Sequence, residues 1–285
     1  MGKNHQRRFH ALLFIVASLF ACVSPSRGIR HNATRRVDIG GHYLQILIEG
    51  EGNPTVVLES GLGDTSESWA KVEPEVAKFS QVVAYDRAGL GQSDSGPRPR
   101  TAQQIANELH TALRNANLAP PYVLVAHSAG GLFIRVFAAA YPGEVAGMVF
   151  VDSTPEDFFE RLKAIQSTEE QRKFEEKKRD YAAKASEGRL AEWTALDFDL
   201  KQARAASPLP DVPVILLTGM ANEPDKSPEA KQLWLSLHNE WLKQIPNARH
   251  IVTNKSGHYI QIDEPELVVD SIRQIINSIK GSSHI

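Results

Sequence analysis

Residues 122–141 read YVLVAHSAGGLFIRVFAAAY, and the two halves of this stretch have different periodicities. Tyr122 to Ala126 is a short apolar run rich in β-branched residues, which predicts a buried strand. From Gly130 onward, Leu132, Phe133, Val136 and Phe137 recur at helical spacing until Pro142-Gly143 stops them. Between strand and helix stands Ala126-His127-Ser128-Ala129-Gly130, the pattern G-x-S-x-G with alanine in place of its first glycine. A serine on so sharp a strand-to-helix turn projects its Oγ above the edge of a sheet, and small flanking residues let the backbone bend that far. The following helix turns its free N–H groups and positive end toward any oxyanion forming beside the serine. Ser128 is therefore the candidate nucleophile. The plainer alternative is a small-residue turn under a packed helix.

On both sides of this stretch, strands alternate with helices. Upstream, residues 36–38 and 42–49 predict an antiparallel pair turned at Gly40-Gly41, and 55–59 a buried strand. The strand runs into Ser60-Gly61-Leu62-Gly63-Asp64, then a helix over 68–79 and a further strand over 81–85. Asp86, Arg87 and Asp94 follow in a glycine-rich loop, where an ion-paired scaffold is the simpler reading than catalysis. Thr101 opens an amphipathic helix with Ile105, Leu109 and Leu113 on one face. Downstream, 145–151 is a strand ending at Asp152, and strands are expected again at 212–218 and 248–253. Ser227-Pro228 starts a helix whose inner face carries Trp234, Leu237 and Trp241 as core, and Glu264-Pro265 starts the last helix, 267–279. Such alternation implies an α/β fold with a mainly parallel, doubly wound sheet, whose site gathers at the carboxyl ends of its strands.

Residues 153–211 break the alternation. Helical spacing at Phe158, Phe159, Leu162 and Ile165, a capping pattern at Ser167 and Glu170, a charged run over 168–185 and a short helix from Leu190 together predict a helical cap. The expected core is thus 37–152 and 212–285, with 153–211 as the cap insertion.

A serine hydroxyl needs a base, and of ten histidines only His258 stands on a loop after the last strand, in the order Ser…acid…His. His127 adjoins the serine in sequence but is expected to point elsewhere, and His250 lies within a strand. The acid has two possible places. Asp152 directly follows a buried strand, whereas Glu223 and Asp225 follow the Gly219 turn, near Asn222. Asp152 is favoured because sheet geometry would hold its carboxylate.

These pieces, Glu59 to Gly63, Asp86 to Asp94, His127 to Gly131, and Ser256-Gly257-His258 before Glu264-Pro265, together resemble the α/β-hydrolase fold superfamily over residues 37–279. The resemblance implies an α/β-hydrolase fold with an ester (or amide) hydrolase activity on a small or apolar acyl substrate, and no cofactor. It further implies an oxyanion hole formed by the amides of Leu62 and Ala129. Acyl transfer by the same residues is the alternative reaction, and a non-catalytic, membrane-tethered ligand-binding protein the alternative class. No H-E-x-x-H pattern or Cys/His cluster supports a metal site.

The first residues read differently from the rest. Lys3, Arg7 and Arg8 precede an uncharged apolar run over 11–21, the pattern of an export signal too short to span a bilayer comfortably. Leu19-Phe20-Ala21-Cys22 resembles a bacterial lipoprotein signal, with Cys22, the single cysteine, as the lipidation site. A plain secretory signal cut later is the alternative. The pattern predicts 1–21 as signal peptide, 22–36 as tether, an exported, periplasmic or cell-surface protein, and membrane attachment through lipid. A lone cysteine allows no internal disulfide, so stability must come from core burial. A formal charge of -2 provides no basic field for nucleic acid.

Overall fold

The computed structural model describes residues 33–222, 227–246 and 248–282. The expected signal peptide, Cys22 and the first part of the tether lie outside the described residues. So do the alternative acids Glu223 and Asp225.

Among the described residues, eight strands form one sheet: β1 (Ala33–Asp38), β2 (Tyr43–Glu49), β3 (Thr55–Glu59), β4 (Val82–Tyr85), β5 (Tyr122–His127), β6 (Val145–Val151), β7 (Val214–Gly219) and β8 (Arg249–Thr253). Their order across the sheet is β1-β2-β4-β3-β5-β6-β7-β8. β2 runs antiparallel to both its neighbours, and every pairing from β4 to β8 is parallel. Period-two side-chain alternation divides the core in two. Val57, Val83, Leu124 and Phe150 face one layer, against α2 (Ala102–Asn115) and α3 (Gly130–Ala140). Val56, Val123, Val125 and Val149 face the other, against Val268, Ile272 and Ile276 of the C-terminal helix. Each fully buried side chain of this kind contributes roughly 1.5–3 kcal/mol.

Local chemistry fixes the helices that carry the site. Thr101 caps α2 by accepting from the amide of Gln104. α3 is buried from Gly130 to Ala138 and packs close to the sheet. A Cβ at Gly130 would lie 2.6 Å from the Ser60 carbonyl oxygen, so only glycine fits where α3 begins. In place of the helix expected over 68–79 there is a 3-10 turn (Ser66–Trp69), then the single turn α1 (Glu73–Val76). Pro74 has no amide to donate, so the helix restarts there with proline in its first turn.

Strand β1 also starts earlier than expected. Residues 33–36, assigned from sequence to the tether, pair with β2 in register, Arg35 opposite Ile46 and Arg36 opposite Gln45. Thr34, Arg35 and Arg36 are exposed on the sheet edge, so their sequence carries no apolar alternation to betray a strand.

Between β6 and β7 stand three helices, α4 (Phe158–Ile165), α5 (Thr168–Lys184) and α6 (Glu187–Ala205). A reciprocal capping box joins Ser167 and Glu170 at the start of α5. α6 is 19 residues long, not short, and its buried positions include Glu192, Ala195, Asp199 and Ala203. The helical period is intact, but two of these positions are acidic, which hides it from an apolar pattern. Asp199 Oδ1 accepts from the amide of Ala102 at 2.6 Å, and Glu192 meets Arg87.

Arg87 is 2% exposed and uses all five of its N–H donors. Nε and Nη2 donate to the two oxygens of Glu192 at 2.7 and 2.8 Å. Nη1 donates to Glu59 Oε1 at 2.6 Å and to the Ser60 carbonyl at 2.9 Å, and Nη2 also to the Gly61 carbonyl at 2.7 Å. The expected ion-paired scaffold at Arg87 is therefore a buried one. Its partners lie on β3 and α6 rather than in its own loop. Arg87→Ala should leave two buried carboxylates unpaired and lower unfolding stability by about 3–5 kcal/mol in urea titrations. Arg172→Ala, which removes exposed pairs on α5, should leave the urea midpoint nearly unchanged.

Candidate active site

Three chain reversals at the carboxyl ends of β5, β6 and β8 bring together side chains far apart in sequence. Ser128, between β5 and α3, has φ +53°, a left-handed conformation that costs a non-glycine residue roughly 1–2 kcal/mol. It is held there by its amide, which donates to the Val151 carbonyl at 3.1 Å, and by its carbonyl, which accepts from Gly131 and Thr154. Asp152, after β6, also has positive φ (+43°) and is fully buried. His258 Nδ1 donates to Asp152 Oδ2 at 2.7 Å, and Ser128 Oγ stands 2.9 Å from His258 Nε2. Ser128, His258 and Asp152 thus form one hydrogen-bonded chain.

The other oxygen of Asp152 is held from two sides. Oδ1 accepts from the Gly219 amide and from Trp234 Nε1, both at 3.0 Å. Sequence periodicity placed Trp234 in the core of α7 (Pro228–Leu242). It is buried, but its indole N–H points at this carboxylate. A buried indole needs an acceptor, and that requirement was the available signal.

The ring of His127 packs 4.6 Å from that of His258, centroid to centroid. Its Nε2 donates to the backbone carbonyl of His258 at 3.0 Å, bracing the loop that carries that residue. The ring of His250 stands 2.7 Å from Thr218 Oγ1, away from Ser128. His238 is fully buried between Thr218 Oγ1 and the Ser153 carbonyl, each 2.7 Å away, and desolvation lowers its pKa to about 4. Asp86 joins its own loop to the 3-10 turn after β3, accepting from the amides of Gln92 and Ser66. Asp94 pairs with Arg36 on the exposed edge.

A small cavity of about 20 Å³ opens at Ser128. Leu62, Phe159 of α4 and Leu196 of α6 supply its apolar side. Leu62 and Ala129 both line it, and among the described residues the amides of these two donate to no acceptor. A Cβ on Gly61 would stand 2.9 Å from His127 Nδ1 and 3.3 Å from Ser128 Cβ, so the loop approaches the serine only as glycine. Asp64 and Tyr259 complete the polar side of the wall. Burial raises the Asp64 carboxyl to about 6, against the opposing pull of Arg87 and Arg189. Among the described residues, no group of three or more His, Cys, Asp or Glu side chains is arranged to hold a metal ion.

A sheet of this order, with serine after β5, a carboxylate after β6 and histidine after β8, is the architecture of an α/β hydrolase. The sequence model described as alpha/beta hydrolase fold matches residues 54–183. The uncharacterized protein YqjL of Bacillus subtilis strain 168 is 30% identical over 220 residues, which cover 77% of this chain and 82% of that one. The chain belongs to the α/β-hydrolase fold family. Among solved structures, the enol-lactonase from Burkholderia xenovorans LB400 aligns with a TM-score of 0.62 at 19% identity, over 85% of this chain and 100% of that one. A thermophilic esterase from Thermogutta terrifontis aligns with a TM-score of 0.58 at 18% identity, over 88% and 99%. At these identities the likeness is one of fold.

The buried His238 gives the fold a pH dependence of definite sign. Its folded-state pKa, about 4, lies below the ordinary 6.5. Below pH 6.5 the unfolded chain therefore takes up a proton that the folded protein refuses. The stabilisation is complete above pH 6.5 and is lost progressively down to about pH 4, a change on the order of 3 kcal/mol. Urea midpoints measured across that window should fall less steeply for His238→Gln than for the parent protein.

Proposed function

We propose that the protein is a serine hydrolase cleaving an ester or amide bond of a small or apolar acyl substrate through Ser128, His258 and Asp152. The observation that carries this reading is the hydrogen-bonded chain from Ser128 Oγ through His258 to Asp152, at 2.9 and 2.7 Å, beside an apolar cavity. Ser128 Oγ attacks the carbonyl carbon as its proton passes to His258 Nε2. The oxyanion of the tetrahedral intermediate is received by the amides of Leu62 and Ala129. His258 then returns the proton to the leaving alcohol or amine, and an acyl-enzyme remains on Ser128. Water repeats the sequence: it gives a proton to His258, attacks the acyl carbon, and releases the acid as the proton returns to Ser128. Asp152 orients the imidazole and stabilises the imidazolium. The Gly219 amide and Trp234 keep that carboxylate in place. A ligand-binding protein would have no use for the strained φ of Ser128, which favours catalysis over the binding-only alternative.

A fluorophosphonate probe should label the protein at Ser128, and Ser128→Ala should abolish labelling without loss of fold. Undiminished labelling of the variant would remove the assignment. Asp152→Asn should lower kcat by about four orders of magnitude on any ester that the protein turns over. Trp234→Phe keeps an aromatic ring but deletes one donor to Asp152. It should lower kcat by roughly tenfold, with KM little changed.

We further propose that the chain is exported and anchored by lipid at Cys22, on the strength of Lys3, Arg7 and Arg8, the apolar run over 11–21 and Leu19-Phe20-Ala21-Cys22. Two or three acyl chains would hold it durably, since each buried CH₂ contributes about 0.8 kcal/mol. Mass spectrometry of the protein from a bacterial membrane fraction should find a diacyl or triacyl modification on Cys22. An unmodified N-terminus beyond Cys22 would exclude it.

A further inference from the structure

The catalytic chain leaves one carboxylate of the cavity without a role. We propose that Asp64 selects substrates bearing a hydrogen-bond-donating substituent, a hydroxyl or an ammonium, on the carbon next to the scissile carbonyl; this rests on the serine-hydrolase reading above.

The geometry begins with the loop after β3. The amide of Asp64 donates to the Gly61 carbonyl at 3.1 Å, which folds the loop back on itself. Asp64 Oδ2 then faces the same small space as the serine. A Cβ built on Gly61 would be 3.2 Å from Asp64 Oδ2 and 3.3 Å from Ser128 Cβ. The carboxylate and the nucleophile's carbon therefore stand close to one point beside Gly61, on the wall of the cavity that opens at Ser128.

The protein only partly satisfies this carboxylate. Oδ2 is at the limit of hydrogen bonding from Tyr259 Oη, at 3.5 Å, and His127 Nδ1 is 4.0 Å away. Two arginines, Arg87 and Arg189, are close enough to act on it electrostatically. Arg87 spends its five donors on Glu59, Glu192 and two carbonyls, and Arg189 Nε donates to the Gly63 carbonyl at 3.0 Å. Neither closes an ion pair with Asp64. The Asp64 side chain is only 15% exposed, and a carboxylate so placed with spare acceptor capacity is costly unless a ligand donates to it.

Its charge also bears on the reaction. Negative charge beside the developing oxyanion opposes it, most strongly where water is excluded. A substrate hydroxyl that donates to Asp64, or an ammonium that neutralises it, removes part of that opposition. An unsubstituted acyl group does not. The same carboxylate thus disfavours one class of substrate and favours the other.

The test compares three esters of one size and one leaving group: p-nitrophenyl propanoate, its 2-hydroxy analogue and its 2-amino analogue. In the parent protein, kcat/KM for at least one donor-bearing ester should exceed that for the propanoate. Asp64→Asn should shrink that ratio by on the order of tenfold to a hundredfold, chiefly through KM, while turnover of the propanoate rises. Whichever analogue loses its advantage identifies the donor as hydroxyl or ammonium. A proportional fall for all three esters would assign Asp64 a merely structural role and overturn the proposal, as would an unchanged ratio. Binding of propanamide, lactamide and alaninamide to Ser128→Ala protein, followed by calorimetry, tests Asp64 without turnover. A donor-bearing amide should bind more tightly than propanamide, and the difference should vanish in Ser128→Ala/Asp64→Asn. Equal binding with and without the carboxylate would overturn the proposal. Esterase activity surviving Ser128→Ala would instead overturn the nucleophile assignment, with the amide binding still deciding the role of Asp64.

Discussion

Five N–H groups of one buried guanidinium hold the loop after β3, the sheet and the helices over the cavity in a single arrangement. Arg87 reaches the side chain of Glu59 at the end of β3, the carbonyls of Ser60 and Gly61 just beyond it, and Glu192 on α6. Glu192 in turn accepts from the amide of Gly63 at 2.8 Å. The loop that carries Leu62 is therefore tied at the residues on either side, through one cation and two carboxylates. Two buried acids around one cation leave an imbalance, which the structure eases at Glu59. Burial raises the pKa of that carboxyl, and the hydroxyl of Tyr85 donates to it. Such a network stabilises little relative to an apolar replacement, but breaking one member is expensive. Its effect is to fix a geometry.

That geometry is needed because the site is made of strained or crowded backbone. Ser128 and Asp152 both occupy positive φ without being glycine, and each is enforced by hydrogen bonds to a neighbouring strand. Gly61 and Gly130 admit no Cβ without collision with His127 or with the carbonyls of Glu59 and Ser60. Local strain of this kind persists only where the surroundings over-determine it. Here the surroundings are a parallel sheet buried on both faces and a helix, α3, with hardly an exposed side chain in its first turns.

The helices between β6 and β7 complete the cavity with apolar side chains on one side and charged residues elsewhere. Phe159 and Leu196 face Ser128, whereas the ion pairs of α5 are exposed. The buried polar residues of α6 are what attach this layer to the sheet. Glu192 docks on Arg87, and Asp199 on the first amide of α2, where burial holds its carboxyl up to about 8. The covering layer is thus positioned by polar contacts of fixed direction, and the cavity beneath it is shaped by apolar ones.

The sequence by itself determined the alternation of strands and helices, the turn at Ser128 and the loop at His258, because each is a local signal, and it left the acid open between Asp152 and the pair Glu223 and Asp225. Periodicity, glycine and proline act within a few residues. It could not resolve the edge strand at 33–36, whose exposed side chains carry no alternation, nor the full length of α6, whose buried face includes Glu192 and Asp199. Trp234 looked like core because an indole is apolar in any periodicity count. Only the tertiary structure brought its N–H to Asp152 across 82 positions and Asp152 to His258 across 106. The same holds for Arg87 with Glu192, and for Asp64 facing Ser128. Hydrogen bonds and ion pairs between distant residues leave no trace in a local pattern, since direction and burial exist only once the chain has closed around them.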